Sequence, residues 1–173
     1  TAPLFQLVFN RNGKKLGTRF TLTGIDEEFR AGAGFISRPG IARAALTQRV
    51  SFFGKKGSFL EAWNTDLALD GTWKYDAFFG EGGVQDKKVH LNNNLTLRGG
   101  WKAGASVLIE SFGYDPDLYA NYALAGDRPG QFLPFVGVPR LPNLDWVLSL
   151  TTPEFKRFSG YVNALWGKDE NFF

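Results

Sequence analysis

The chain contains no cysteine, which excludes disulfide bonds and cysteine-based metal sites. It has a single histidine, His90, and a zinc site there would need several further ligands, so a plain polar role is the better prediction. No apolar run approaches the roughly 18 residues that a transmembrane helix requires. The G-x-S-x-G and phosphate-loop motifs are absent as well. We therefore expect no metal, no cofactor and no membrane-spanning helix.

The charge pattern gives little support to a nucleic-acid partner. The formal net charge is only +3, and the basic residues are scattered along the sequence instead of clustering in one segment. We predict no binding to nucleic acid.

Aromatic residues and glycine are abundant, and both suit a β-rich protein with many turns. Aromatic side chains make up 16% of the 173 residues, and 21 residues are glycine. This length is enough for one domain, which we predict to span residues 1–173.

The stretch 58–75 alternates between two kinds of side chain, as a long β-strand with two unlike faces would. One set is apolar or small and begins and ends with tryptophan: Trp63, Thr65, Leu67, Leu69, Gly71 and Trp73. The intervening set is mostly polar and includes Asp66 and Asp70. With a tilt of ~40°, the two tryptophans would lie roughly 25 Å apart along a membrane normal, about the height of the apolar band of an outer-membrane barrel.

The same alternation predicts about eight strands and no helix of ordinary length. The predicted strands are residues 4–10, 16–24, 41–53, 58–79, 87–101, 103–114, 143–152 and 158–166. Two residues, Gln48 and Asn93, break the pattern by placing a polar side chain on an apolar face.

The connections between these strands alternate between short and long, as in outer-membrane barrels, which have short turns at one end and longer loops at the other. Both ends of the chain would then lie on the long-loop side. We therefore predict an all-β fold: an antiparallel up-and-down transmembrane β-barrel, with about eight strands in this chain, forming a section of a larger barrel.

Two sets of residues are candidates for function. The polar set is expected to line the lumen, either as a pore lining for hydrophilic solute or as a salt-bridged, solvated interior without a specific ligand. Its members are Arg43, Arg49, Asn64, Asp66, Asp70, Lys74, Lys88, His90, Asn92, Asn94, Arg98, Glu110 and Asp145. Asp66 and Asp70 should face the strands bearing Arg49 and His90, with charge pairing between those strands.

The tryptophans form the second set and are expected near strand ends on the apolar face, as an aromatic girdle. They are Trp63, Trp73, Trp101, Trp146 and Trp166. Alternatively, such residues fill a β-sandwich core or stack on sugars in a soluble module.

A hydrolase is the weakest alternative. Glu61, Asp66, Asp70 and Glu110 could supply the carboxylate pair of a glycosidase, but no spacing selects two of them. We predict that the protein is not an enzyme.

Three stretches, residues 24–41, 89–101 and the terminal 166–173, carry a resemblance to a known family. They resemble the C-terminal β-barrel region of bacterial proteins that carry an N-terminal domain like family-9 carbohydrate-binding modules. The resemblance covers most of the chain but includes no carbohydrate-binding domain. It implies a location in the bacterial outer membrane and a longer parent protein.

Together these observations predict a non-enzymatic outer-membrane barrel protein, acting as a pore wall for hydrophilic solutes or as a membrane anchor or assembly component. Its expected partners are the lipid bilayer and further barrel strands or envelope proteins. A soluble all-β carbohydrate-binding module is the alternative.

Overall fold

One antiparallel sheet of eight strands dominates the computed structural model, which describes residues 2–32, 38–115, 119–135 and 140–168. The strands of the sheet are β1 (Leu4–Asn12), β2 (Leu16–Ile25), β3 (Ile41–Phe53), β4 (Leu60–Lys74), β5 (Asp86–Leu97), β6 (Lys102–Gly113), β9 (Arg140–Thr151) and β10 (Tyr161–Lys168). A separate two-stranded hairpin consists of β7 (Ala123–Ala125) and β8 (Phe132–Pro134). The helical elements are α1 (Tyr75–Phe79) and a 3-10 turn (Arg98–Gly100).

The sheet has up-and-down topology, which confirms the predicted all-β antiparallel fold. Its order is β1-β2-β3-β4-β5-β6-β9-β10, so each strand lies beside the strand that follows it in the chain, apart from the β7–β8 hairpin. Within the described residues β1 pairs with β2 alone and β10 with β9 alone, so the sheet is open and both edges are free.

The alternating pattern predicted the central strands best, because their register is specified by two unlike faces. β3 has the predicted bounds, and β4 pairs with it along its whole length, from Ile41 opposite Lys74 to Phe53 opposite Ala62. A single irregularity interrupts the pairing of β4 with β5, between Leu60 and Ala62.

The predicted continuation of the fourth strand to about Phe79 was wrong. β4 ends at Lys74, and the chain turns into the five-residue helix α1. Alternation stops at this point, and Tyr75, Phe78 and Phe79 follow at helical spacing. Tyr75 and Phe79 pack on each other with ring centroids 5.2 Å apart, and Phe79 contacts the ring of Phe5 at 6.1 Å.

The fifth strand also ends earlier than predicted. Gly99 and Gly100 have φ values of 79° and 86°, a left-handed backbone that ends the strand at Leu97 and returns the chain into β6. Arg98 and Trp101, both assigned to the strand from sequence, therefore lie in the turn.

The last two strands are displaced from their predicted bounds. β9 begins three residues earlier, at Arg140, whose guanidinium donates to the Val84 carbonyl (2.8 Å) and to the Ser111 hydroxyl (2.9 Å). β10 begins at Tyr161, so Phe158 lies outside the strand, where its ring packs at a tilt against that of Phe155 with ring centroids 4.7 Å apart.

The described residues contain almost no apolar core. Ala42 is the single buried apolar residue among them, and no large side chain is fully buried. Most of the sheet is a single layer, because no second sheet or long helix among the described residues covers either face.

Candidate functional site on the two faces of the sheet

Large apolar side chains cover one face of the sheet, here called the apolar face. One row across it runs in register from strand to strand: Phe9, Phe20, Leu46, Leu69, Val89, Ile109 and Leu144. These side chains are open to the surroundings even at the centre of the sheet, where Leu67 and Leu91 are 37% and 38% exposed. Leucines on β9 are more exposed still, with Leu148 at 50%. The sheet thus exposes its most apolar face to the surroundings.

Gln48 and Asn93, which break the alternation of their strands, are both hydrogen-bonded. Gln48 accepts a hydrogen bond from the Thr18 hydroxyl (2.8 Å) and donates to the Gly17 carbonyl (2.8 Å). Asn93 accepts a hydrogen bond from the indole nitrogen of Trp63 (3.0 Å). Gln48 and Asn93, the two exceptions to the alternating pattern, therefore form hydrogen bonds with neighbouring strands.

The opposite face, here called the polar face, carries a row of alternating charges over four adjacent strands. Arg43 on β3 forms a two-pronged ion pair with Asp70 on β4. The Nε of Arg43 donates to both carboxylate oxygens of Asp70, at 2.8 and 3.0 Å. Lys88 on β5 is opposite Asp70 in register and pairs with Glu110 on β6 at 2.6 Å. Charges of both signs thus neutralise one another across the sheet.

The predicted charge pairing between β4 and the strand bearing Arg49 is confirmed, because Arg43, the partner of Asp70, lies on β3 together with Arg49. Among the described residues no ion pair joins β4 to β5, the strand bearing His90. Arg49 is directly opposite Asp66, yet no ion pair joins these two described residues. The Arg49 guanidinium instead lies over Gly17, where an added Cβ would come within 3.1 Å of it. It donates to the Gly13 carbonyl at 3.3 Å, and its buried Nε has no hydrogen-bond partner among the described residues.

His90 belongs to a neutral polar cluster on the same face. Its Nε2 is 2.8 Å from the Ser106 hydroxyl, and its Nδ1 is 3.4 Å from the Asn92 amide. Among the described residues, no group of three His, Asp or Glu side chains is arranged to hold a metal ion.

The remaining polar candidates divide between the face and its ends. Asn64 and Asn94 are opposite each other on β4 and β5, and Asp145 lies on the polar side of β9. Lys74, at the end of β4, pairs with Asp115 at 2.9 Å. Arg98 lies in the turn and is exposed.

The polar face is also concave near its first edge. A cavity of about 360 Å³ lies over β1–β3 and is lined by Gln6, Arg19, Thr21, Thr23, Arg43, Ala45 and Thr47. Arg19 and the threonines were left out of the predicted lumen set, although they occupy the alternate positions of predicted strands and that signal would have included them.

The tryptophans do not all lie at strand ends. Trp63 and Trp73 are near the two ends of β4, and Trp101 is in the turn before β6. Trp146 and Trp166 are opposite each other near the middle of the apolar face, because β9 starts earlier than predicted. The prediction of an end position was therefore wrong for Trp146, whereas Trp166 lies two residues before the end of β10.

Three of the four carboxylates considered for a hydrolase form ion pairs or hydrogen bonds within the protein. Asp70 and Glu110 form ion pairs with basic residues, and Glu61 accepts the Gly57 amide at 2.7 Å. Their carboxylates act in holding strands and turns together.

Comparison with protein families, curated proteins and solved structures finds no match for this chain. The family resemblance described above therefore stays a prediction, and residues 33–37 and 169–173 of its stretches lie outside the described part of the chain. No helix within the described ranges is long and apolar enough to cross a membrane.

Proposed function

We propose that this chain forms part of the wall of a bacterial outer-membrane β-barrel, with its apolar face against lipid and its polar face toward an aqueous interior. The protein is non-enzymatic in this proposal. The wall serves passage of hydrophilic solutes or anchors a larger envelope protein.

The observation that carries the proposal is the exposure of the apolar face in a sheet that has almost no core. Leucines at mid-strand such as Leu91 face outward, while Ala42 alone among the described apolar residues is buried. A soluble β-sandwich stabilises itself by burying apolar side chains between two sheets. Lipid tails would supply the missing cover, since transmembrane strands alternate between an apolar outer side and a polar inner side.

The hydrogen-bonded polar residues on the apolar face support the same proposal. In hydrocarbon, polar groups must be satisfied within the protein, because no water can solvate them. Gln48 meets this requirement through Thr18 and the Gly17 carbonyl, and the side-chain oxygen of Asn93 meets it through Trp63.

The polar face suits contact with water. Its charges are of both signs, and the side chains of Arg43 and Lys88 remain 57% and 42% exposed while bound to their carboxylate partners. Such a lining is compatible with hydrophilic solute and selects no particular ligand.

Arginine substitution at two adjacent positions of β5 tests the proposal. Leu91 is on the apolar face and Asn92 on the polar face, at the same depth near mid-strand. In vesicles of phosphatidylcholine, Leu91→Arg should lower the free energy of unfolding by about 2–4 kcal/mol, because a charge would enter the bilayer centre. Asn92→Arg should have a much smaller effect.

Vesicle flotation and tryptophan quenching by lipids brominated in their acyl chains give the direct readout. The wild-type chain should float with the vesicles and be quenched. A chain that stays in solution as an unquenched monomer would overturn the membrane proposal and favour the soluble carbohydrate-binding module.

A further inference from the structure

The four short connections of the sheet all lie at one end of its strands. They are residues 13–15, 54–59, 98–101 and 152–160, and the first residue of β6, Lys102, adjoins the third. The long connections, residues 26–40, 75–85 and 114–139, leave from the opposite end.

The short-turn end gathers basic residues that are far apart in the sequence. Three of the short connections contain two basic residues each, and the third contains Arg98 beside Lys102, the first residue of β6. Together these residues are called the basic rim: Lys14, Lys15, Lys55, Lys56, Arg98, Lys102, Lys156 and Arg157. Glu154 is the one acidic residue within these connections. Basic residues that are scattered in the sequence therefore form one positively charged edge of the sheet.

The side chains of the basic rim are available for binding. All eight residues are exposed, and none forms an ion pair with another described residue. Lys14 extends over the ring of Phe53, with its Nζ 5.7 Å from the ring centroid.

The opposite end has the opposite charge balance. The three long connections contain the acidic residues Asp26, Glu27, Glu28, Asp76, Glu81, Asp115, Asp117 and Asp127, against the basic residues Arg30, Arg38 and Arg128. The positive edge is thus specific to one end of the sheet and does not follow from the small net charge of +3.

Exposed aromatic side chains lie next to the basic rim. Phe59 is 76% exposed, Phe158 is 64% exposed and Trp101 lies in the third turn. Aromatic rings prefer the headgroup level of a bilayer, and lysine and arginine beside them reach the lipid phosphates. A lipid surface accounts for both the charges and the exposed rings at this end, whereas a nucleic acid or an acidic protein would need the charges alone.

We propose that the basic rim binds the phosphates of anionic phospholipid headgroups, so that the short-turn end sits on the anionic surface of the bilayer that covers the apolar face. This inference rests on the proposed membrane function and adds a lipid preference and a sidedness to it. The acidic loops at the other end would be repelled by the same surface.

Flotation with two kinds of vesicle tests this inference, using phosphatidylcholine alone and a mixture of phosphatidylcholine and phosphatidylglycerol. The wild-type chain should bind both and prefer the anionic vesicles, with a preference that falls as salt is raised. Lys55→Gln/Lys56→Gln and Lys14→Gln/Lys15→Gln should each reduce that preference about tenfold or more. Binding to phosphatidylcholine alone should be unchanged by either.

Arg30→Gln/Arg128→Gln is the matched control, because it removes the same charge from the long-loop end. It should leave the lipid preference intact. Equal losses in rim and control variants would overturn the inference, as would equal wild-type binding to both kinds of vesicle. Stronger salt-sensitive binding to an anionic oligonucleotide than to the anionic vesicles would overturn it too.

These failures are distinct from failure of the proposed function. A wild-type chain that does not bind phosphatidylcholine contradicts the membrane proposal itself. A chain that binds phosphatidylcholine without any anionic preference contradicts only the role of the basic rim.

Discussion

At the scale of single residues, hydrogen-bonded polar groups on an exposed apolar face are the most informative feature. Gln48 and Asn93 broke the alternating pattern, and sequence could not say whether they marked errors in strand assignment. The register answers this, because Asn93 is next to Trp63 across β4 and β5 and accepts its indole hydrogen bond. Such a partner on another strand cannot be inferred before pairing is known.

The Trp63–Asn93 hydrogen bond gives the first prediction at this scale. Trp63→Phe should lower the free energy of unfolding in detergent micelles by about 1–2 kcal/mol, because it leaves the Asn93 amide without its donor in an apolar setting. Denaturant titrations measure the loss. Adding Asn93→Leu to this variant should recover most of it, and additive losses in the double variant would show that the two side chains do not interact.

The ion pair between Asp70 and Arg43 gives the second prediction at this scale. Asp70→Asn should cost about 1 kcal/mol of unfolding free energy, since the Arg43 pair is lost while the exposed arginine is still solvated. Asp66→Asn is the matched variant on the same strand and should be nearly neutral. Similar losses at both positions would mean that Asp66 forms a pair of equal value with Arg49.

At the scale of elements, the sequence predicted strands where two faces differ and failed where the chain leaves that pattern. The bounds of β3 were predicted correctly because its alternation is long and ends in glycine-rich turns. The aromatic helix α1 was missed because its rings pack on the distant Phe5, a contact that no local pattern encodes. The strands β7 and β8 were missed because three residues are too few to show alternation. Likewise, the early start of β9 depends on distant carbonyls that bind Arg140.

The turn between β5 and β6 gives a prediction at this scale. Gly99→Ala should lower the free energy of unfolding by about 1–2 kcal/mol, because alanine is strained at a φ of 79°. Gly83→Ala is a suitable control, since its Cβ would meet nothing within 4 Å and its φ lies outside the left-handed range. Thermal or denaturant unfolding of the two variants compares them, and equal stability would mean that the turn adapts its backbone.

At the scale of the whole molecule, both edges of the sheet are open within the described residues. β1 and β10 run in opposite directions, and each presents backbone groups that would be unsatisfied in lipid. In the proposed membrane setting, further strands of a larger barrel would cover both edges. The polar face could be assigned from alternation alone, whereas the charge pairs and the basic rim required the register and the turn positions.

Pairing of the edges can be tested on a chain that has no native cysteine. In vesicles, a Val8→Cys chain mixed with a Leu165→Cys chain should form disulfide-linked pairs, because β1 of one copy can add to β10 of another with the same membrane orientation. Val8→Cys alone should form few, since β1 against β1 in antiparallel pairing would invert one copy. Abundant cross-linking of Ala68→Cys, in the middle of the sheet, would show that collisions and not edges govern the reaction.

The neighbour-by-neighbour strand order also has a kinetic consequence. Hairpins closed by connections as short as residues 13–15 can form locally, so most of the sheet can grow one strand at a time. The pairing of β6 with β9 spans the longest of the three long connections, because residues 114–139 are roughly three doublings longer than residues 13–15 and cost about 2 kcal/mol more in loop closure. We expect the β9–β10 hairpin to join last, onto an assembled β1–β6 sheet.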